Sequence, residues 1–420
     1  MTINNTITER LYGLFVQSEG VQTDSRKVRH GELFFALRGD NFDGNRYAAA
    51  AIEAGAVAAV VDREEVVEPE RTERYVVVED VLTALQELAH YHRKQLNTTV
   101  LAITGTNGKT TTKELVSAVL SRKFKTACTV GNLNNHIGVP LTLLSIGAEN
   151  EVAVVEMGAS AQGEIARLAE IAAPDLGLIT NIGRAHLEGF GGVEGIRKGK
   201  GELYDYLALN GGTALYRKED NTLAEMVAER CGLRGVGYSE QLAEGLQSNL
   251  VGDYNRFNIA AAVAVGRHFG VEEAQIGAAI AEYVPSNNRS QQVRTEANLL
   301  TVDCYNANPS SMAAAVAVHN ATEHSGYHRK VLILGDMLEL GEWSHEEHEK
   351  IVQAAVEGPA DRIILVGKNF GATTSKDGRI VRCATAEDVV WLLSEQPLRR
   401  AFVLIKGSRG VGLERVLGAL

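Results

Sequence analysis

Residues 102–112 read Ala-Ile-Thr-Gly-Thr-Asn-Gly-Lys-Thr-Thr-Thr and follow directly on the apolar run Thr99-Val100-Leu101. A buried strand, a tight turn with two glycines and an opening helix bring backbone N–H groups and a helix N-terminus to one point, where a phosphate binds. The loop is Gly105-Thr106-Asn107-Gly108-Lys109-Thr110, shorter than G-x-x-x-x-G-K-[ST], because Ile103 stands where the longer motif has glycine. Lys109 offers a point charge for β- and γ-phosphates, and Thr110 a hydroxyl for Mg²⁺. An ordinary glycine turn before a helix is the plain alternative. The Lys-Thr-Thr step, placed where a phosphate site needs it, argues against that alternative. The candidate triphosphate-binding residues are therefore Gly105, Thr106, Asn107, Gly108, Lys109, Thr110 and Thr111.

A chain of 420 residues has room for roughly three domains. Residues 1–95 carry short strands, an alanine-rich helix over Tyr47–Ala54, a buried strand over Val57–Val61 and a helix over Leu82–Leu96. Residues 96–295 alternate apolar runs at Val100–Thr104, Val152–Glu156, Leu176–Asn181 and Thr213–Tyr216 with helical patterns, among them Asn255–His268. Tyr283–Arg289 is a plausible hinge. Residues 296–420 begin a second alternation. Its expected strands are Leu299–Asp303, Val331–Gly335, Ile363–Gly367 and Phe402–Lys406. Its expected helices are Ser310–His319, Ser344–Val356 and Ala386–Leu393, with Ser344 and Glu347 as a capping box. Alternation of this kind predicts α/β domains with parallel sheets, whose ligands lie beyond the strand carboxyl ends. Gly105, Glu156 and Asn181 fall at such ends and should face one crevice.

The net charge of −11 argues against a nucleic-acid grip, which wants a basic face. Cys128, Cys231, Cys304 and Cys383 are scattered without a C-x-x-C pair, as in a reduced compartment. No basic, apolar leader opens the chain, and no apolar run reaches the length of a membrane span, so a cytoplasmic protein is expected.

Glu156 closes the apolar run Val152-Ala153-Val154-Val155. A carboxylate there suits a Mg²⁺ ligand, since Mg²⁺ takes one or two carboxylates with phosphate oxygens and waters; a solvated strand end is the alternative. His186, in Asn181-Ile182-Gly183-Arg184-Ala185-His186, reads as a second metal ligand, a catalytic base or a structural histidine. Lys198 and Lys200 read as a basic solvated turn, since an ammonium beside Mg²⁺ would be repelled. Asn308-Pro309-Ser310 is a helix start. Asp303 to Ser310, Gly335 to Gly341 and Lys406 to Arg409 each follow an expected strand and should together line a binding edge facing the central domain.

The order of Gly105–Thr111, Asn132–Pro140, Glu156–Ser160, Asn181–Glu188 and Asn255–Asn258 resembles that of the ATP-dependent Mur ligases across essentially the whole chain. Thr23-Asp24-Ser25-Arg26 with Phe34 to Gly39 resembles the uridine-nucleotide-binding domain of the later-acting members. Tyr305–Pro309, Gly335–Gly341 and Lys406–Arg409 look most like the member that joins D-alanyl-D-alanine to UDP-N-acetylmuramoyl-tripeptide. The resemblance implies a uridine-nucleotide domain (1–95), a central P-loop ATPase domain (96–295) and a Rossmann-like acceptor domain (296–420). It implies ATP and two Mg²⁺ sites, and an acyl-phosphate route to a peptide bond in peptidoglycan precursor synthesis.

By motif, Lys109, Glu156, His186 and Lys200 would be catalytic. Thr110, Glu156, His186 and a CO₂-derived carbamate on Lys200 would serve the metals, the carbamate turning a repelled cation into an anion. Asn255, Arg289 and Asp303 would contact the nucleotide. Asp24, Ser25, Arg26, Asn41, Asp43 and Gly44 would hold the uridine diphosphate. Asn134, Asn135, Ser160, Tyr305, Asn306 and Asn308 would contact donor or acceptor. A monomer working on small molecules is expected.

Three departures from the pattern stand out: Val302 where an aspartate is common, Tyr254 where a histidine is common, and an unusual Ser286-Asn287-Asn288 before Arg289. Rival readings are the ligase adding the third stem residue, a folyl-polyglutamate synthetase, and a nucleotide-dependent switch. The first lacks its Asp-Asn-Pro-Arg string here, the second does not account for residues 23–44, and the third does not account for Glu156, His186 and Lys200 together.

Overall fold

The computed structural model describes residues 5–250, 252, 254–285 and 291–420. Expected Arg289, and most of the expected hinge, lie outside the described residues. Three main sheets organise the rest. The first has four parallel strands in the order β1 (Val21–Gln22), β2 (Leu33–Phe35), β5 (Ala58–Val61) and β6 (Tyr75–Val77), and β3 (Arg38–Gly39) and β4 (Phe42–Asp43) form a small ribbon beside it.

The second sheet is parallel throughout. Its strands are β7 (Thr99–Thr104), β8 (Thr126–Cys128), β9 (Val152–Glu156), β10 (Leu176–Ile179), β11 (Thr213–Arg217) and β12 (Arg234–Tyr238), in the order β12-β11-β10-β7-β9-β8. The chain leaves β7 for β8 and β9 on one side and then crosses to β10 on the other. That reversal opens a crevice at the carboxyl end of β7, where the sequence places Gly105 to Thr110.

The third sheet runs β13-β14-β18-β15-β16-β17. Its strands are β13 (Gln291–Arg294), β14 (Leu299–Asp303), β15 (Arg329–Gly335), β16 (Arg362–Val366), β17 (Ile380–Cys383) and β18 (Ala401–Lys406). Only the edge strand β13 runs antiparallel. Apolar clusters cover both faces, as a parallel sheet requires.

The first two sheets are fused. Leu33 and Phe35 of β2 share one apolar cluster with Leu85 and Leu88 of the helix Val81–Gln95 and with Val100, Ala102 and Val155 of the central sheet. Each fully buried leucine contributes about 1.5–3 kcal/mol. Polar pins fix the same helix: Arg93 donates to the Ala172 and Ala173 carbonyls, both at 3.1 Å, and to Asp175 at 2.9 Å. Asp80 caps its start by accepting from the Thr83 amide at 2.7 Å.

Three expectations need correction. The helix expected over Tyr47–Ala54 is a 3₁₀ turn over Gly44–Tyr47, followed by an α-helix over Ala48–Glu53. Ser344 does not cap a helix: a 3₁₀ turn over Gly341–Trp343 runs straight into Ser344–Glu357, so Ser344 is already helical. Glu347 instead binds Arg184 and Lys350. The boxes that form are Asn308 with Ser311, and Thr385 with Asp388. Finally, Lys198 and Lys200 lie inside the helix Val193–Leu209, not in a turn.

Candidate active site

A cavity of about 1060 Å³ opens between the central and third sheets. Thr106, Asn107, Gly108, Lys109 and Thr111 line it from the phosphate loop, and Glu156, Ser160, Asn181 and His186 from the ends of β9 and β10. Asn134, Asn135 and Asn255 complete the central wall, while Asp303, Tyr305, Asn306, Asn308, Glu339 and Lys406 close the third-domain side. The loops after β14, β15 and β18 thus meet the phosphate loop across one space, as their strand-end positions require.

The phosphate loop is held open by its neighbours. Gly105 and Gly108 adopt φ of 139° and 79°, conformations that only glycine takes without strain. A side chain on Gly108 would collide with the Asn258 amide. The Thr106 amide donates to the Asn181 carbonyl at 3.0 Å, and the Asn107 amide to Asn181 Oδ1 at 3.1 Å. Lys109 Nζ folds back on the Gly105 and Thr106 carbonyls at 2.8 and 3.1 Å.

Glu156 is 1% exposed. It accepts from Thr110 Oγ1 at 2.9 Å and from Asn134 Nδ2 at 2.7 Å. Its own amide donates to Thr129 Oγ1 at 2.9 Å, and Lys113 Nζ donates to the Thr129 carbonyl at 2.8 Å. The short strand β8 stops before β9 does, and the Thr129 hydroxyl takes over the acceptor role of the missing strand. A hydroxyl, a buried carboxylate and a side-chain amide are hard-oxygen chemistry suited to Mg²⁺. Among the described residues no three His, Cys, Asp or Glu side chains converge.

His186 adopts φ of 50° and pairs through Nδ1 with Glu339 of the third domain. Burial pushes its pKa below the ordinary histidine value, with Lys109 adding to the effect against the pull of Glu339. Lys200 is 2% exposed and does not line the cavity. It lies behind the strip 159–160, donating to the Ala159 carbonyl at 3.1 Å with its ammonium 5.0 Å from the Phe190 ring centre. Burial first, and Lys109 second, drive its pKa well below that of a free lysine.

Lys406 binds Asp303 at 2.6 Å and the Asn306 carbonyl at 3.1 Å, ordering the loop after β14. Asn308 donates to Asn107 Oδ1 at 2.8 Å, so the third domain touches the phosphate loop itself. Ser160 is tied by its amide to Glu164 at 2.8 Å. Asn135 caps the Ile137 and Gly138 amides at 3.1 and 2.9 Å.

The uridine-nucleotide candidates lie apart from this cavity. Asp24, Ser25 and Arg26 follow β1, and Asn41, Asp43 and Gly44 follow β2, its parallel neighbour, so both groups share one sheet edge. Arg26 binds Asp24 at 2.9 Å and lowers its pKa to about 2. Asp43 accepts from Asn45 Nδ2 at 2.9 Å.

Lys113, Thr129, Arg184 and Glu339 were not singled out from the sequence. Lys113 carried a signal: it lies four residues after Lys109 on the same helix face, yet is 2% exposed.

Family models match the chain in three stretches: "Mur ligase family, catalytic domain" over residues 17–93, "Mur ligase middle domain" over 103–241, and "Mur ligase, glutamate ligase domain" over 288–409. The UDP-N-acetylmuramoyl-tripeptide–D-alanyl-D-alanine ligase of Bacillus subtilis is 34% identical over 95% of this chain and 92% of its own length. The protein of the same name from Escherichia coli is 34% identical over 100% of this chain and 97% of its own. Among solved structures, MurF from Acinetobacter baumannii superposes with a TM-score of 0.85 at 31% identity, covering 96% of this chain and 97% of that one. MurF ligase from Thermotoga maritima in complex with ADP does so with 0.82 at 27% identity, covering 97% of each chain. The chain belongs to the Mur ligase family.

Proposed function

We propose that the chain is an ATP-dependent amide ligase that joins D-alanyl-D-alanine to UDP-N-acetylmuramoyl-tripeptide, releasing ADP and phosphate, in peptidoglycan precursor synthesis and hence in cell shape and division. The observation that carries this is the single cavity shared by the phosphate loop, Glu156 and the third-domain loops. Near-full-length similarity to relatives bearing that name supports the choice of substrates.

In this reading residues 1–95 hold the uridine diphosphate through Asp24 to Arg26 and Asn41 to Gly44. Residues 96–295 hold ATP, and residues 296–420 bring the acceptor. The amides of Gly105 to Thr110 and the Lys109 ammonium bind and orient the triphosphate. Asn255 and Asp303 stand at its nucleoside end. The donor carboxylate attacks the γ-phosphorus and ADP leaves; the dipeptide amine then attacks the acyl phosphate, a C–N bond forms and phosphate departs. Bound Mg²⁺ would supply charge neutralisation on the phosphates: Thr110 and Glu156 would hold one ion and His186 a second, with the Lys200 carbamate as an anion near the metals. Asn134 and Asn135 border the donor path beside Ser160; Tyr305, Asn306 and Asn308 border the acceptor. Closure of the third domain excludes water from the acyl phosphate.

Lys200 suits carbamylation because only a neutral amine attacks CO₂, and burial favours the neutral amine. No helix among the described residues is long and apolar enough to cross a membrane, which agrees with a cytoplasmic site of action; we take the working unit to be a monomer.

The test is ATP-dependent phosphate release with Mg²⁺ and UDP-N-acetylmuramoyl-tripeptide, with and without D-alanyl-D-alanine, plus the product mass. Release requiring both substrates, with a product heavier by one dipeptide, is expected. Release with a free amino acid or glutamate instead would move the chain elsewhere in the family.

A further inference from the structure

Among the described residues four non-glycine positions have left-handed backbone: Ala173, His186, Glu339 and Arg400. Two of the four meet. His186, with φ of 50°, stands at the end of the central-domain loop after β10, and Glu339, with φ of 61°, at the tip of the third-domain loop after β15. Such conformations persist in non-glycine residues only where the surroundings hold them, and they cluster at working sites.

The Glu339 loop is braced on both sides of its tip. The Met337 amide donates to His348 Nε2 and the Leu338 amide to Ser408 Oγ, each at 3.0 Å. Asp336 accepts from the Asn369 and Phe370 amides at 2.9 and 2.8 Å. Beyond the tip, Gly341 passes so near Glu188 that an added Cβ would lie 3.1 Å from the Glu188 Cβ. Leu340 and Leu187, the next neighbours of the pair, belong to one apolar cluster. The third domain therefore delivers a carboxylate on a rigid support to one ring nitrogen of one histidine.

We infer that Glu339 is a positioning residue: by engaging His186 Nδ1 across the domain boundary, it turns Nε2 toward the cavity and makes the orientation of this histidine depend on closure of the third domain. The inference rests on the reading of His186 as a metal-holding residue. A neutral imidazole that donates its Nδ1–H to the carboxylate has only the Nε2 lone pair left to offer a metal. Carboxylates behind metal-binding histidines act in this way, and their loss typically costs about 10–100-fold in metal affinity. Other contacts also hold the arrangement shut: the Arg184 amide donates to Ser310 Oγ at 2.8 Å, the Arg184 side chain binds Glu347 at 2.6 Å, and Asn308 donates to Asn107 Oδ1 at 2.8 Å.

The test is a double-mutant cycle read by Mn²⁺ binding. The full-length protein, with a non-hydrolysable ATP analogue and UDP-N-acetylmuramoyl-tripeptide, is titrated with Mn²⁺ and followed by electron paramagnetic resonance. Glu339→Gln and His186→Ala are each expected to weaken Mn²⁺ binding at the His186 site about 10–100-fold, and the double variant no more than His186→Ala alone. Glu339→Asp should recover part of the affinity. Imidazole ¹⁵N spectra of histidine-labelled protein should show a changed His186 environment in Glu339→Gln. Glu339 is 62% exposed at its side chain, so Glu339→Gln and Glu339→Asp are expected to fold, and thermal melting checks this for every variant. Wild-type affinity in Glu339→Gln, or losses that add in the double variant, overturns the inference while leaving His186 as a metal residue. Wild-type affinity in His186→Ala removes the metal role of His186 and the inference with it.

Discussion

Thr129→Val isolates one hydroxyl in the support of Glu156. Thr129 is 0% and Glu156 1% exposed, and the Glu156 amide donates to Thr129 Oγ1 at 2.9 Å. Valine keeps the shape and removes the acceptor. A buried N–H left without a partner costs about 1–3 kcal/mol, and the added methyl returns at most about 0.8 kcal/mol. The net loss expected in the central domain is therefore about 0.2–2 kcal/mol by urea denaturation. The same amide carries the residue whose carboxylate meets Thr110 and Asn134, so its movement also misplaces the carboxylate. If the whole loss reaches the transition state, kcat/KM for ATP falls by up to about 30-fold. Thr129→Ser is the control: it keeps the acceptor and gives up a methyl, so it should lose about 1 kcal/mol of stability but stay near wild type in kcat/KM. Equal kcat/KM for the valine and serine variants would refute a role for the hydroxyl in holding Glu156.

Three further outcomes are expected. His319 is 2% exposed with both ring nitrogens lacking a hydrogen-bond partner in the protein, and burial pushes its pKa down to about 3. The unfolded chain then binds the extra proton as pH falls below about 6.5, so His319 alone should contribute a drop of about 2 kcal/mol between roughly pH 7.5 and 5; His319→Leu should shrink the total difference between the two pH values, to which His90, His92, His186, His324 and His348 also add, by about that amount, and an unchanged difference counts against it. Gly341→Ala puts a side chain at φ of 52° beside Glu188 and should lower overall turnover about 5–30-fold, the cost of a left-handed alanine at about 1–2 kcal/mol; binding of an ATP analogue, measured by calorimetry, should stay unchanged. If Lys200 carries the carbamate, Lys200→Ala should cut ligation about 100-fold or more, as loss of an anion that supports the metals, with partial return on adding a small carboxylate such as acetate. Full activity without the additive would exclude the carbamate.

The parts of the site legible in the sequence are those whose chemistry is local. The phosphate loop is a backbone shape demanded by Gly105 and Gly108, and Glu156 announces itself by ending an apolar run. Asn308-Pro309 signals a helix start, and the structure adds the capping bond to Ser311. The misreadings came where distant packing decides. Gly199 and Gly201 flank Lys200 and suggest a turn, yet they lie inside the helix Val193–Leu209, where neighbours pack too closely for side chains. A Cβ on Gly199 would sit 2.5 Å from the Phe190 ring and one on Gly201 2.6 Å from the Arg230 guanidinium. Ser344 looked like a cap because nothing local announces the 3₁₀ turn ahead of it. β1, β3 and β4, of two residues each, are too short to show any period. Glu339 could be recognised only with its partner, 153 positions away.

Leu33 and Phe35 share one close-packed cluster with Val100, Ala102 and Val155, so the edge carrying Asp24 and Gly44 stands at a set span from the phosphate loop, and packed interiors yield little. For the proposed donor, anchored at its uridine end, such a frame is a ruler. A peptide stem one residue short would stop before the γ-phosphate, and a longer one would overrun it. The enzyme would then count stem residues by reach alone, with the gauge built into the joint between two domains instead of into any pocket that reads side chains.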